Sequence, residues 1–123
     1  MAADTVVDLD GTPLGKPRDG VEAAVMLRTL SGRSHLVHTA FAIADGSDLV
    51  EREATTEVRF YPLSEDEIAG YVASGDPFDK AGAYGIQGRG AALVDRIEGD
   101  FYTVMGFPMG LFLRTLSARG MRI

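Results

Sequence analysis

The pattern of apolar and polar positions changes period several times along the chain, and each change marks an element. Val6 and Val7 lie in a short β-prone run that ends at Asp10-Gly11, a strong turn signal, and Pro13-Leu14 resumes beyond it. The chain therefore opens on a strand and a turn. Asp19 followed by Glu22 has the spacing of a capping box. Val21, Ala24, Val25, Met26, Leu27 and Leu30 then supply an apolar face at helical spacing before Gly32, so a helix is predicted over 20–30. Ser34 to Ile43 is rich in Val, Thr, Phe and Ile, and Asp45-Gly46-Ser47 is a turn. Thr55 to Tyr61 then sets Thr56, Val58 and Phe60 against Glu57 and Arg59. That alternation predicts an antiparallel hairpin. Ser64 with Glu67 makes a second capping box, Ile68, Tyr71 and Val72 form a buried stripe, and Gly75 supplies a left-handed cap.

Beyond Gly75 the periodicity lapses. Asp76 to Gly90 contains Pro77, Gly82, Gly85, Gly88 and Gly90 and reads as a long shaped loop, a feature that in small domains is often functional. Leu93 to Ile97 and Phe101 to Met105 read as two further strands. Pro108 opens a last helix through Phe112, Leu113 and Leu116 to Gly120. Strands interspersed with helices, joined by a hairpin and by longer crossovers, predict one α/β domain over 1–123 with a mixed β-sheet and flanking helices. Because the chain begins almost inside its first strand, an element that should precede or cover that strand is expected to be missing.

Composition narrows the function. A chain of 123 residues with 46% hydrophobic and 24% charged positions can bury one core and lies far from disordered compositions. A formal net charge of −6 opposes binding to a nucleic-acid polymer, which needs a basic patch. A single nucleotide stays open, since two or three lysines or arginines can neutralise one triphosphate. With no cysteine, disulfides and thiolate metal sites are excluded, and the start Met1-Ala2-Ala3-Asp4 lacks the regions of a signal peptide. The apolar stretch from Phe107 to Leu113 contains Pro108 and Gly110 and is too short to cross a bilayer. A cytoplasmic protein with no membrane role is expected.

Taken alone, Asp4 at the head of an apolar strand reads as a cap or surface residue, and Lys16 and Lys80 read as solvated lysines. Their company changes this. Ala2-Ala3-Asp4-Thr5-Val6-Val7 is followed by Leu14-Gly15-Lys16-Pro17, then by Asp79-Lys80-Ala81-Gly82-Ala83-Tyr84-Gly85-Ile86-Gln87-Gly88. With Leu30-Ser31-Gly32-Arg33, Gly99-Asp100-Phe101-Tyr102 and Gly106-Phe107-Pro108, this combination resembles the Maf family of nucleotide pyrophosphatases. The resemblance implies a Maf/ITPase-like fold and hydrolysis of nucleoside triphosphates to the monophosphate and pyrophosphate. It implies Asp4 as proton acceptor, Thr5 and Gln87 as influences on base selection, and a cleft at which Lys16 and Lys80 meet phosphate. It also implies a divalent cation, Mg²⁺ or Mn²⁺, with its ligands left open. The chemistry is consistent with that set, because attack of water on an α-phosphate needs a base, a cation on the phosphate oxygens and positive charge around the leaving pyrophosphate. Gln87 offers both donor and acceptor to a pyrimidine edge. Asp79 is open to three roles: holding the metal, orienting Lys80 or sharing the base role.

Within the family, the Asp-Thr and Ile-Gln-Gly features resemble the branch associated with dTTP and UTP rather than that acting on 7-methyl-GTP. Ala40, Thr103 and Phe107 replace the commoner Gly, Asn and Leu. The upstream Ser-x-Ser-Pro-Arg-Arg motif, which supplies phosphate-binding arginines, is not in this sequence, so an N-terminally truncated domain with little turnover by itself is expected. Apolar sheet surface near Met1 should then be exposed or covered by a partner chain, a homodimer included.

Other readings compete. Asp8-Leu9-Asp10-Gly11-Thr12 also looks like the haloacid dehalogenase phosphatase motif, but the downstream Lys and paired acidic site have no candidate of the right form. His35 and His38 on one strand point to opposite faces, which disfavours a shared metal. Gly88-Arg89-Gly90 lacks the spacing of a dinucleotide fingerprint. The rival of another class is a non-catalytic nucleotide-binding or septum-formation regulatory protein.

Overall fold

The computed structural model describes residues 2–120, and its framework is a five-stranded sheet. The strands are β1 (Ala2–Leu9), β2 (Thr12–Leu14), β3 (Ser34–Asp45), β4 (Asp48–Phe60) and β5 (Val94–Glu98), in the order β2-β1-β3-β4-β5. Helices α1 (Gly20–Leu30), α2 (Glu65–Ala73), α3 (Phe101–Met105) and α4 (Met109–Ala118) complete the α/β architecture. The sheet with flanking helices is as expected. Its pairing is simpler than a mixed sheet, since all four ladders between described strands are antiparallel.

Strict alternation gives the sheet one buried face. His35, Val37, Thr39, Phe41 and Ile43 of β3 lie on it, beside Val7 and Leu9 of β1 and Val50, Thr56, Val58 and Phe60 of β4. Two apolar clusters cover that face. The larger joins Val7, Leu9, Val37, Val58 and Phe60 to Ala23, Leu27 and Leu30 of α1 and Ile68 and Tyr71 of α2. The smaller joins Phe41, Ile43 and Val50 to Phe107, Leu111, Phe112 and Leu116 around α4. On the opposite face Val6 and Leu36 are exposed among the described residues, while Met1 lies outside them. No described helix is long and apolar enough to cross a membrane.

The caps explain most boundaries. Ser64 and Glu67 close both halves of the capping box at α2. At α1 the Asp19 side chain accepts from the Glu22 N–H at 2.8 Å, but the Glu22 carboxylate reaches the Arg18 N–H instead of completing the box. Asp10-Gly11 forms the β1–β2 turn with positive φ at both residues, 52° and 85°. The second hairpin is longer than its apolar pattern implied, because β4 starts at Asp48 rather than near Thr55. Residues 76–93 fold into three short 3₁₀ turns, Asp76–Asp79, Ala81–Ala83 and Gly88–Leu93.

One element is corrected. Phe101 to Met105, expected as a strand, is a short helix. Asp100 Oδ2 accepts from both the N–H (2.9 Å) and the hydroxyl (2.8 Å) of Thr103, and Gly106 ends the turn at φ 114°.

Candidate active site

A cleft of about 540 Å³ opens where the start of β1, the segment after β2, the 76–90 loop and the end of α3 converge. All six residues singled out from the sequence line it: Asp4, Thr5, Lys16, Asp79, Lys80 and Gln87. Three further groups there were not anticipated as site residues: Asp76, the phenols of Tyr71 and Tyr84, and the run from Val104 to Gly106.

The loop that carries Lys80 and Gln87 is fixed at several points. The Gly82 N–H donates to the Gly15 carbonyl at 3.1 Å, tying this loop to the segment that bears Lys16. The Tyr71 hydroxyl accepts from the Gly85 N–H at 3.0 Å. Close packing then requires glycine at two places. A β-carbon on Gly90 would lie 1.6 Å from the Gly85 carbonyl oxygen, and one on Gly85 would lie 2.5 Å from Lys80 Cε. Lys80 therefore runs directly over bare backbone. Its ammonium donates to Asp79 Oδ1 at 2.8 Å and to the Asp76 carbonyl at 3.3 Å. That hydrogen bond holds the Asp79 carboxyl below its usual range and raises Lys80, so the pair is charged at neutral pH.

Tyr84 is anchored from beneath. Its hydroxyl is 2.6 Å from His35 Nε2, and both rings meet Phe60 edge-on, at centroid distances of 4.7 and 5.2 Å. Burial lowers His35 to about 4, which keeps the imidazole neutral, and raises the Tyr84 phenol. Burial also raises Tyr71. These two tyrosines act at neutral pH as hydroxyls.

The two β1 residues face differently. Thr5 is on the buried face of the sheet, directly opposite Thr39, with the two hydroxyl oxygens 2.9 Å apart. Asp4 pairs with Ala40 on the other face and is exposed at the rim. It borders both the main cleft and a shallower groove with Ala40, Ala42 and Glu51 to Glu53. Gln87 is exposed just before the third 3₁₀ turn.

Other sequence candidates fall elsewhere. Asp8 and Asp10 of the phosphatase-like motif do not line the cleft; Asp8 lies 3.5 Å from His38, and Asp10 forms the turn. His35 and His38 take opposite faces, as their spacing predicted. Among the described residues no group of three or more His, Asp or Glu side chains is arranged to hold a metal alone. The carboxylates at the cleft, Asp4, Asp76 and Asp79, come from two segments. Such a set suits a hard cation that keeps waters and takes further oxygens from a bound phosphate.

The sequence model of the Maf-like proteins matches residues 1–119. A protein of Thermus thermophilus named dTTP/UTP pyrophosphatase is 58% identical over 122 residues, which is 99% of this chain and 65% of that protein. One of the same name from Bacillus velezensis is 55% identical over 94% of this chain and 61% of its own length, and one from Fusobacterium nucleatum is 48% identical over 100% and 65%. The chain thus spans less than two thirds of the length of these relatives. A match from the first strand to the last helix, at identities near one half and above, establishes that this chain belongs to the Maf family.

Proposed function

We propose that this chain supplies most of the nucleotide site of a pyrophosphatase that hydrolyses dTTP and UTP to the monophosphate and pyrophosphate. The observation that carries this reading is the convergence of Asp4, Lys16, Lys80 and Gln87, from three separate segments, on one cleft. The name shared by the relatives supports the substrate.

In this reading a water oxygen bonds to the α-phosphorus, the bridging bond to the β-phosphate breaks and pyrophosphate leaves. Asp4 takes the water proton and returns it to solvent. Lys16 and Lys80 neutralise charge on the β- and γ-phosphates, where preorganised cations favour the transition state over the ground state. Asp79 orients Lys80; a carboxylate already held by an ammonium is a poor proton acceptor, which favours Asp4 as base. Thr5 and Gln87 face the base.

The lining carries two lysines against three carboxylates, so it does not neutralise a triphosphate by itself. A divalent cation, Mg²⁺ or Mn²⁺, held by Asp76 together with the substrate's phosphates, would supply the missing charge and leave Asp4 free as base. A soluble cytoplasmic enzyme that acts on free nucleotides follows from the same reading.

The test uses this chain joined to the upstream segment of a full-length relative, with Mg²⁺ present. Release of pyrophosphate from dTTP and UTP is expected. Asp4→Asn should retain nucleotide binding and lose on the order of 10²- to 10⁴-fold in kcat, since the amide cannot accept a proton. A near-normal kcat for that variant would remove Asp4 from the role of base. Tight dTTP binding with no pyrophosphate release by the parent protein would favour the non-catalytic regulator instead.

A further inference from the structure

A chain of three hydrogen-bonding groups leads from the cleft into the core. Thr39, fully buried on β3, stands directly across from Thr5 on β1, and their hydroxyl oxygens are 2.9 Å apart. On its far side the Thr39 hydroxyl is 2.8 Å from the main-chain carbonyl of Thr103, in α3. A carbonyl only accepts, and a hydroxyl has one proton. Thr39 therefore donates to Thr103, and the proton between the two threonines must come from Thr5. The Thr5 hydroxyl is thus fixed with its hydrogen pointing inward, and what remains toward the cleft is a lone pair.

Thr103 is itself held still. Its N–H and its hydroxyl both donate to Asp100, and it is fully buried, so the carbonyl at the end of the chain does not swing away. On the cleft side Thr5 lies among apolar neighbours. A β-carbon on Gly106 would sit 3.7 Å from its hydroxyl oxygen, and Val104 and Met105 line the wall beside it. These surroundings suit a planar base rather than a phosphate.

We infer that Thr39 is a positioning residue for base selection: by taking the Thr5 proton it makes Thr5 an obligate acceptor, which selects a pyrimidine bearing a ring N–H over one bearing a bare ring nitrogen. Uracil and thymine carry hydrogen on N3, between two carbonyls, and cytosine presents a lone pair there. Against cytosine, two lone pairs face each other and the base loses its partner in water without gaining one. The inference rests on the pyrophosphatase reading for the presence of a nucleotide in this cleft, and adds a residue that does not line it.

The test measures equilibrium binding of the non-hydrolysable α,β-methylene analogues of dTTP and dCTP, with Mg²⁺, to this chain joined to the upstream segment of a full-length relative, as parent, and to variants of it. The unsubstituted chain should favour the dTTP analogue by about tenfold or more, the worth of one well-made against one unmade hydrogen bond. Thr39→Val frees the Thr5 hydroxyl to turn. The dCTP analogue should then bind more tightly than it does to the parent chain, and the ratio should fall to within about threefold of unity. Thr39→Ser should restore the preference. A gain for the wrong base is a result that general damage to the site does not produce. A ratio in Thr39→Val equal to that of the parent, or parallel weakening of both analogues, would overturn the inference. If Thr39→Val does not unfold cooperatively, Thr5→Val at the partly buried cleft wall serves instead: it should weaken the dTTP analogue about tenfold and leave the dCTP analogue nearly unchanged, and an unchanged ratio would be fatal. Absence of any pyrimidine preference in the parent chain is a different failure, which takes down the pyrophosphatase reading and this inference with it.

Discussion

His35 shows how a buried residue beneath a cleft ties stability to pH. Its Nε2 meets the Tyr84 hydroxyl, while Nδ1 is buried without a partner among the described residues. Burial away from water penalises the charged ring. Charging costs more in the folded chain than in the unfolded one, and the group falls from 6.5 to about 4. The sign follows: the contribution is complete above pH 6.5 and is lost as pH falls toward 4. Its full size is on the order of 3 kcal/mol. Urea denaturation from pH 8 to pH 4 should show this loss, and His35→Gln, which keeps a partner for Tyr84 but does not titrate, should show a flatter profile. Equal profiles for the two proteins would exclude His35 as the source. The Tyr84 contact was not legible beforehand, because the partners are 49 residues apart and nothing local links them. That Asp4, Lys16, Lys80 and Gln87 share one cleft was legible, since each sits in a short motif and the motifs occur together. Asp79 was legible as a neighbour of Lys80, but their 2.8 Å contact was not, because it depends on the side-chain conformations of both.

Among the elements, α3 is the informative one. Phe101-Tyr102-Thr103-Val104 is β-prone at every position, and propensity alone makes it a strand. Two flanking residues decide otherwise: Asp100 supplies a cap and Gly106 a left-handed stop, a frame that fits one helical turn and a half. Both signals were present in the sequence. They are outweighed because four of the five residues between them are β-branched or aromatic. Asp100→Ala should cost about 1–2 kcal/mol in stability, as expected for a lost N-cap that also leaves a buried hydroxyl unpaired. The same substitution should weaken dTTP binding, since α3 carries the Thr103 carbonyl and the Val104 to Gly106 wall. Chemical denaturation and equilibrium dialysis would report the two effects separately, and a stability loss without any change in binding would disconnect α3 from the cleft. The full length of the β3–β4 hairpin is hidden in the sequence for a related reason. Between Asp48 and Thr55 only Val50 is a buried apolar position, too sparse a signal to extend β4 that far.

Across the whole molecule the apolar material is unevenly divided. The larger cluster holds thirteen buried residues and the smaller holds three, so the far end of the hairpin and α4 are held by much less. Arg119 adds contacts to Asp45 and Asp48, at 2.8 and 3.3 Å, but exposed ion pairs contribute little. β3 and β4 run through both clusters without a break, and Thr39 sits between them. Hydrogen exchange should therefore show two cooperative units: amides at Ile43 and Val50, and those of α4, should open at lower free energy than those at Val37 and Val58. The apolar lining of the cleft, Val7, Val37, Tyr71, Tyr84 and Val104, belongs to the larger unit. The cleft walls are Thr5 and the 76–90 loop on one side and the end of α3, which leads directly into α4, on the other. In the proposed reading a nucleotide lodged there would brace the end of α3 against the 76–90 loop and so clasp the stretch that leads into α4. Saturating dTTP should then slow exchange in α4, although no residue of that helix lines the cleft.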